Sequence, residues 1–183
     1  MSSLSRRAVL ALPLLAAALP AFAEDAATDT LVMETKYGKT LIKLRPDLAP
    51  KHVAQIKKLV AMHFYDGIVF HRVIPGFMAQ TGDPTGTGMG GSKLPNVPAE
   101  FSPEPFKRGT LGMARSQDPD SANSQFFICF GDASFLNGKY TVFGEVASGM
   151  EVIDKLKHGT QENNGQVDHP DKIVSLRFAP DAN

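Results

Sequence analysis

The sequence predicts an all-β-dominated chain folded as an antiparallel barrel, closed or nearly closed, with two α-helices over its ends. Three observations carry that prediction. Short apolar runs rich in β-branched and aromatic residues recur along the chain, punctuated by glycine and proline. Only two stretches keep the spacing of an amphipathic helix. The crossover helices that an open parallel sheet needs between its strands are missing.

The elements follow in order. Leu31 to Arg45 holds two β-type runs around Tyr37-Gly38-Lys39, a hairpin turn. Asp47 to Ala61 is the first helix, with Val53, Ile56 and Val60 at i, i+3 and i+7 and Pro50 tolerated in the first turn. Strands are then expected at Ile68–Val73, Phe77–Thr81, Leu111–Arg115, Gln125–Phe130 and Thr141–Glu145. Gly149–His158 is the second helix, with Val152, Ile153 and Leu156 on one face, and Ile173–Phe178 is the last strand.

The first 23 residues read as an address. Arg6 and Arg7 form a basic region, Ala8 to Leu19 an apolar one, and Ala21-Phe22-Ala23 a small-x-small cleavage signal. The apolar stretch is too short for a membrane span, is broken by Pro13 and is followed by Pro20. The expected plan is a signal peptide at 1–23, a flexible lead-in at 24–30 and one domain at 31–180. The expected destination is the periplasm. The run Ser5-Arg6-Arg7-Ala8-Val9-Leu10 fits an ordinary signal and a twin-arginine one equally.

Composition excludes several functions. The 183 residues carry 19 Lys and Arg against 19 Asp and Glu. Without Arg6 and Arg7 the mature chain is at −2, so it has no broad basic field for nucleic acid. A single cysteine rules out an internal disulfide framework and a multi-cysteine zinc site. Cys129 lies in the apolar run Phe126-Phe127-Ile128-Cys129-Phe130, where a thiol serves as a small hydrophobe. None of the five histidines has the i, i+4 spacing with an intervening glutamate of a zinc protease. His71, in an apolar run, reads as a hydrogen-bonded structural histidine. Gly86, Gly88 and Gly91 satisfy G-x-G-x-x-G, but a dinucleotide fingerprint must open a helix and this one runs into Pro95 and Pro98. It reads as a flexible glycine loop at the edge of a site.

Two blocks are specific. The first is Phe70-His71-Arg72-Val73-Ile74-Pro75-Gly76-Phe77-Met78-Ala79-Gln80-Thr81-Gly82-Asp83. The second runs Gly109-Thr110-Leu111-Gly112-Met113-Ala114-Arg115, then Asn123-Ser124-Gln125-Phe126-Phe127-Ile128-Cys129, and continues Phe135-Leu136-Asn137-Gly138-Lys139-Tyr140-Thr141-Val142-Phe143-Gly144-Glu145. Together they resemble the cyclophilin family of peptidyl-prolyl cis–trans isomerases, over roughly Leu31 to Phe178. The resemblance implies a closed eight-stranded antiparallel barrel capped by two helices, filled with side chains, with a substrate groove on its outer surface.

The implied reaction is rotation about an Xaa–Pro bond. Partial double-bond character sets a barrier of about 18–20 kcal/mol. No bond is broken, so no nucleophile, metal or cofactor is expected. At the twisted transition state the prolyl nitrogen gains basicity, and a nearby cation or N–H donor stabilises that state selectively. Arg72 matches the family's catalytic arginine. Phe77, Met78, Phe127, Leu136 and Tyr140 match its proline pocket. Gln80 and Gln125 match contacts to the substrate backbone, Ala114 and Arg115 the edge along which an extended peptide pairs, and Gly88 the groove rim.

Departures from the family pattern carry information. Phe135, a groove position, stands where many eukaryotic members have Trp, and Tyr140 where they have His. The indole N–H that bonds cyclosporin is therefore absent, which implies weak sensitivity to that drug. Arg115 replaces a frequent Asn, which implies a lean toward acidic residues at that edge. The expected partners are proline-containing segments of unfolded or folding exported proteins, with no nucleic acid, no stable membrane insertion after signal removal, and a monomeric enzyme. The alternative is a catalytically weak proline-peptide-binding module or chaperone on the same fold. A small-ligand carrier would need a hollow barrel, which Phe- and Ile-rich strands argue against.

Overall fold

The computed structural model describes residues 29–160 and 162–179. The expected signal peptide at 1–23, residues 24–28 of the lead-in and the domain's last residue, 180, lie outside the described residues. The chain forms β1 (Thr30–Thr35), β2 (Gly38–Leu44), α1 (Pro50–Ala61), β3 (Arg72–Ile74), β4 (Met78–Thr81), β5 (Thr110–Met113), β6 (Phe126–Cys129), β7 (Val142–Ser148), α2 (Met150–Ile153) and β8 (Ser175–Phe178).

The eight strands make one antiparallel sheet in the order β3-β4-β6-β5-β7-β2-β1-β8. It is a half-barrel. The expected closure into a full barrel does not occur: β3 and β8 are edges, with no ladder between them. The segments flanking the seam are joined by isolated bridges and single backbone bonds instead of a ladder. Val69 bridges Lys172, Arg72 bridges Gln166, and Phe70 N–H donates to the Asp171 carbonyl at 2.8 Å. A regular ladder cannot form there, because Pro170 has no donor and His169 adopts a left-handed backbone at φ 48°.

The lead-in is also shorter than expected. Thr30 already pairs with Lys43 in the β1–β2 hairpin, and Asp29 forms an ion pair with Lys57 at 2.7 Å. Pairing of Thr35 with Gly38 puts the two-residue turn at Lys36-Tyr37, one residue before the predicted place. Of the predicted strand at 68–73, only the end is laddered, as β3. The helix predicted at 149–158 is α-helical only over Met150–Ile153. Beyond it, Lys155 and Leu156 reach back three residues instead of four, to Val152 and Ile153. Val152, Ile153 and Leu156 are nonetheless buried, as their spacing predicts.

Both faces of the central strands are covered. In β6, Phe126 and Ile128 point into the main core with Leu31, Met33, Ile56 and Phe143. Phe127 and Cys129 point the other way, into a second cluster with Met78, Phe106, Leu136 and Val142. Strand alternation thus turns one continuous apolar run into two cores. The outer cluster is the floor on which the groove is built.

Helix α1 closes part of the main core with Val53, Ile56, Leu59 and Val60. Its N-cap residue, Ala49, offers no side-chain acceptor. Glu100 replaces it from a distant loop, accepting from the N–H of Lys51 at 3.1 Å and of His52 at 3.0 Å. A carboxylate at a helix N-terminus also meets the favourable end of the macrodipole.

Candidate active site

A groove of about 590 Å³ opens above the outer cluster. Eleven of the twelve residues expected at the site line it: Arg72, Phe77, Met78, Gln80, Gly88, Ala114, Arg115, Phe127, Phe135, Leu136 and Tyr140. Gln125 lines an adjoining hollow of about 350 Å³ instead, which shares Gln80, Gly88, Ala114 and Arg115 with the groove.

The apolar floor comes from three places. Met78 on β4 and Phe127 on β6 are almost fully buried. Leu136 and Phe135 arrive on a 3₁₀ turn at Ser134–Leu136. Aromatic packing fixes the walls. Phe127 meets Tyr140 edge-on at 5.9 Å between centroids, and Phe106 backs Phe127 at 5.7 Å. Phe77 and Phe135 lie tilted together at 5.2 Å, with Phe135 still 59% exposed.

The polar wall is a relay along the sheet. Arg72 faces Gln80 across β3–β4, and Gln80 faces Phe127 across β4–β6. Arg72 Nη1 donates to Gln80 Oε1 at 3.2 Å. Gln80 Nε2 donates to Gln125 Oε1 at 2.9 Å. Gln125 Nε2 donates in turn to the carbonyls of Gly88 and Gly90, at 3.0 and 2.8 Å. Gln125 is therefore the link between Gln80 and the glycine loop.

Arg72 is also held from the other side by Asn164, a residue the sequence reading did not single out. Its Nε donates to the Asn164 carbonyl and its Nη2 to Asn164 Oδ1, both at 2.9 Å. The available signal was Asn164-Gly165, a turn dipeptide, but its partner lies 92 positions away. Burial lowers the Arg72 guanidinium from the ordinary arginine range. Among the described residues no carboxylate forms an ion pair with it.

The glycine loop is not the loose segment its composition suggests. The Asp83 carboxylate accepts from the backbone N–H of Thr85 (2.7 Å), Thr87 (3.1 Å), Gly88 (2.6 Å) and Gly90 (3.1 Å). Burial pushes this carboxyl up, but the donors from Thr85, Gly90 and Gly88 prevail and hold it at about 2. Gly86 and Gly88 need the freedom of glycine, with φ of 69° and 86°. Behind Gly88 stands His71, buried as expected. Neither of its ring nitrogens has a hydrogen-bond partner among the described residues, which corrects the expectation of a bonded histidine. Cys129 is fully buried and its thiol is pushed up to about 12 by burial, so it is the strand filler its context predicts.

Arg115 lies over the Tyr140 ring at 4.5 Å and donates to the carbonyls of Ser116 and Lys139, both at 2.8 Å. Its guanidinium braces the groove wall as well as edging it.

This geometry has known counterparts. Residues 30–178 match the family model described as cyclophilin type peptidyl-prolyl cis-trans isomerase/CLD. The chain belongs to the cyclophilin family. A probable peptidyl-prolyl cis-trans isomerase of Brucella suis is 52% identical over 193 aligned positions, covering 98% of each chain. A peptidyl-prolyl cis-trans isomerase-like 1 of Aspergillus fumigatus is 39% identical over 82% of this chain and 94% of its own. Among solved structures, a Cryptosporidium parvum cyclophilin type isomerase, crystallised in the presence of the dipeptide Ala-Pro, superposes with a TM-score of 0.76. It is 29% identical and covers 83% of this chain and 99% of its own. A cyclophilin from Hirschia baltica gives 0.74 at 29% identity, over 83% of this chain and 74% of its own.

This cyclophilin is therefore a peptidyl-prolyl cis–trans isomerase. Its groove sets an apolar floor of Met78, Phe127 and Leu136 beside an arginine held on two sides, by Asn164 and Gln80.

Proposed function

We propose that the enzyme isomerises Xaa–Pro bonds in extended segments of exported proteins, in the periplasm, with Arg72 as its catalytic residue. The observation that carries the catalytic part is the fork of Arg72. A guanidinium has five N–H groups. Three are engaged, by Asn164 twice and Gln80 once, which leaves one on each terminal nitrogen for the substrate. A proline ring seated over Phe77, Met78, Phe127 and Leu136 would bring its amide to those donors. As the amide twists, its nitrogen becomes the better acceptor, so the interaction strengthens only on the way to the transition state. A cation partly removed from water acts more strongly there than it would in solution.

Gln80 and Gln125 hold the peptide backbone in register, and Ala114 and Arg115 form the edge along which it extends. The Ala-Pro present with the Cryptosporidium relative supports a proline-bearing peptide as occupant. The signal-like residues 1–23 support export, and the enzyme works as a monomer.

Two experiments test this. Isomerisation of a short Ala-Pro peptide should fall about 10²–10³-fold in Arg72→Ala, which is about 2.7–4 kcal/mol, the loss associated with one transition-state donor. Turnover near the native value in that variant would remove Arg72 from its role. Fractionation of bacterial cells producing the full chain should release a protein beginning at Glu24 with the periplasm. A full-length chain retained in the cytoplasm would refute the location.

A further inference from the structure

We infer that Asn164 is the positioning residue that aims Arg72, and that its side chain sets the rate of rotation without contributing to peptide binding. The inference rests on the assignment of Arg72 above. Asn164 engages Nε and Nη2, which share one edge of the planar guanidinium, with the backbone carbonyl and Oδ1 at 2.9 Å each. Two parallel bonds along one edge fix the plane of the fork as well as its place. The single 3.2 Å bond to Gln80 fixes neither by itself. Asn164 thus decides which way the two remaining N–H groups point.

The loop that carries Asn164 is built for the task. It lies along the open edge of β3, with Val73 N–H donating to the Gly165 carbonyl at 2.7 Å and Gly159 N–H to the Val73 carbonyl at 3.0 Å. Asn163 braces it internally, accepting from Thr160 N–H at 3.1 Å and donating to the Gln166 carbonyl at 2.9 Å. A side chain at Gly165 would overlap Ile74, so glycine there lets the loop lie flat on the strand. Asn164 itself holds φ 57°, a left-handed conformation that asparagine tolerates better than most residues. The open sheet thereby acquires a use, since a paired β3 edge would leave no room for this loop.

The test uses the full chain and three variants of one position and its partner. Asn164→Gly keeps the left-handed backbone and the carbonyl but removes Oδ1. Asn164→Asp keeps an acceptor in place of Oδ1. The Gly variant should lose about 10–50-fold in kcat on an Ala-Pro peptide, in line with the cost of misplacing a catalytic group. Its dissociation constant for the peptide and its thermal midpoint should match those of the native chain. The Asp variant should recover to within about threefold of native kcat, since it restores the acceptor. Native turnover in Asn164→Gly beside an inactive Arg72→Ala would overturn the inference and leave the Arg72 assignment standing. Equal loss in the Gly and Asp variants would overturn it too, by tracing the effect to loop shape. Native turnover in Arg72→Ala would overturn the Arg72 assignment and the inference with it.

Discussion

Gly112 faces Phe127 across the β5–β6 ladder, and any side chain at Gly112 would overlap the Phe127 ring and stand 2.6 Å from Phe106 Cε1. The glycine is there for space, not for backbone freedom. Phe127 lies flat on the strand because nothing projects beneath it. Gly112→Ala should therefore lift the ring into the groove it floors. Overpacking of this kind costs about 1–3 kcal/mol. Here the ring has open volume to move into, so the stability loss should sit at the low end and the groove should bear most of the change. The expected result is at least a tenfold rise in KM for an Ala-Pro peptide with a small fall in thermal midpoint. Native KM in the variant would show that the floor does not depend on the seat of this ring.

Phe135 rests on Phe77 and is still 59% exposed, so it can be replaced without disturbing a core. Phe135→Trp adds an indole N–H to a groove wall whose neighbouring ring, Phe77, carries no donor. One added hydrogen bond is worth about 0.5–1.5 kcal/mol net. Cyclosporin should accordingly bind the variant roughly 2–13-fold more tightly than the native chain, while turnover on a short Ala-Pro peptide stays within twofold. Titration calorimetry and the isomerase assay separate the two effects. Equal cyclosporin affinity in both proteins would remove Phe135 as a determinant of cyclosporin binding.

Local patterns were legible where a residue's neighbours in sequence are its neighbours in space. The helical period put Val53, Ile56 and Val60 inside. The motif blocks gathered Arg72, Phe77, Met78 and Gln80 because β3, its turn and β4 form one short hairpin. What escaped depends on contacts that no local pattern records. Whether β3 meets β8 turns on Pro170 and His169 disrupting a pairing some 100 positions long, and Asn164 matters only once its loop returns to β3. The clamp of Asp83 on its loop was missed for another reason. Glycine-rich composition signals freedom of the backbone, whereas here it permits four N–H groups to converge on one carboxylate.

Glu100 is a second distant carboxylate with a structural duty. It caps α1 through Lys51 and His52 and accepts from His52 Nδ1 at 2.6 Å. Burial lowers the pKa of His52, against the pull of Glu100, so the ring donates as a neutral group near pH 7. Glu100→Ala would leave the helix N-terminus uncapped and a fully buried imidazole without its partner. The expected loss is about 2–3 kcal/mol in chemical denaturation, with Glu100→Gln recovering about half by restoring one acceptor. The groove is formed by other elements, so turnover at 25 °C should be unchanged in both.

Asp83 gives the enzyme an acid-sensitive element beside its groove. Its folded pKa is about 2 against an ordinary 3.8. A group depressed on folding contributes stability that is complete above its unfolded pKa and is lost as pH falls through the folded one. The difference corresponds to about 2.5 kcal/mol, present in full above roughly pH 5 and disappearing between there and pH 2. Glu100 and Asp171 are depressed as well, so the native acid profile is a sum. Subtracting the profile of Asp83→Asn isolates one carboxylate. The variant should be about 2–3 kcal/mol less stable near pH 7, and the gap should close as the pH approaches 2. Amide exchange at Gly88 and Gly90 should quicken in the variant at pH 7, because their N–H groups lose the acceptor that orders the rim. A gap that stays constant across this pH range would show that Asp83 supports the loop by shape alone.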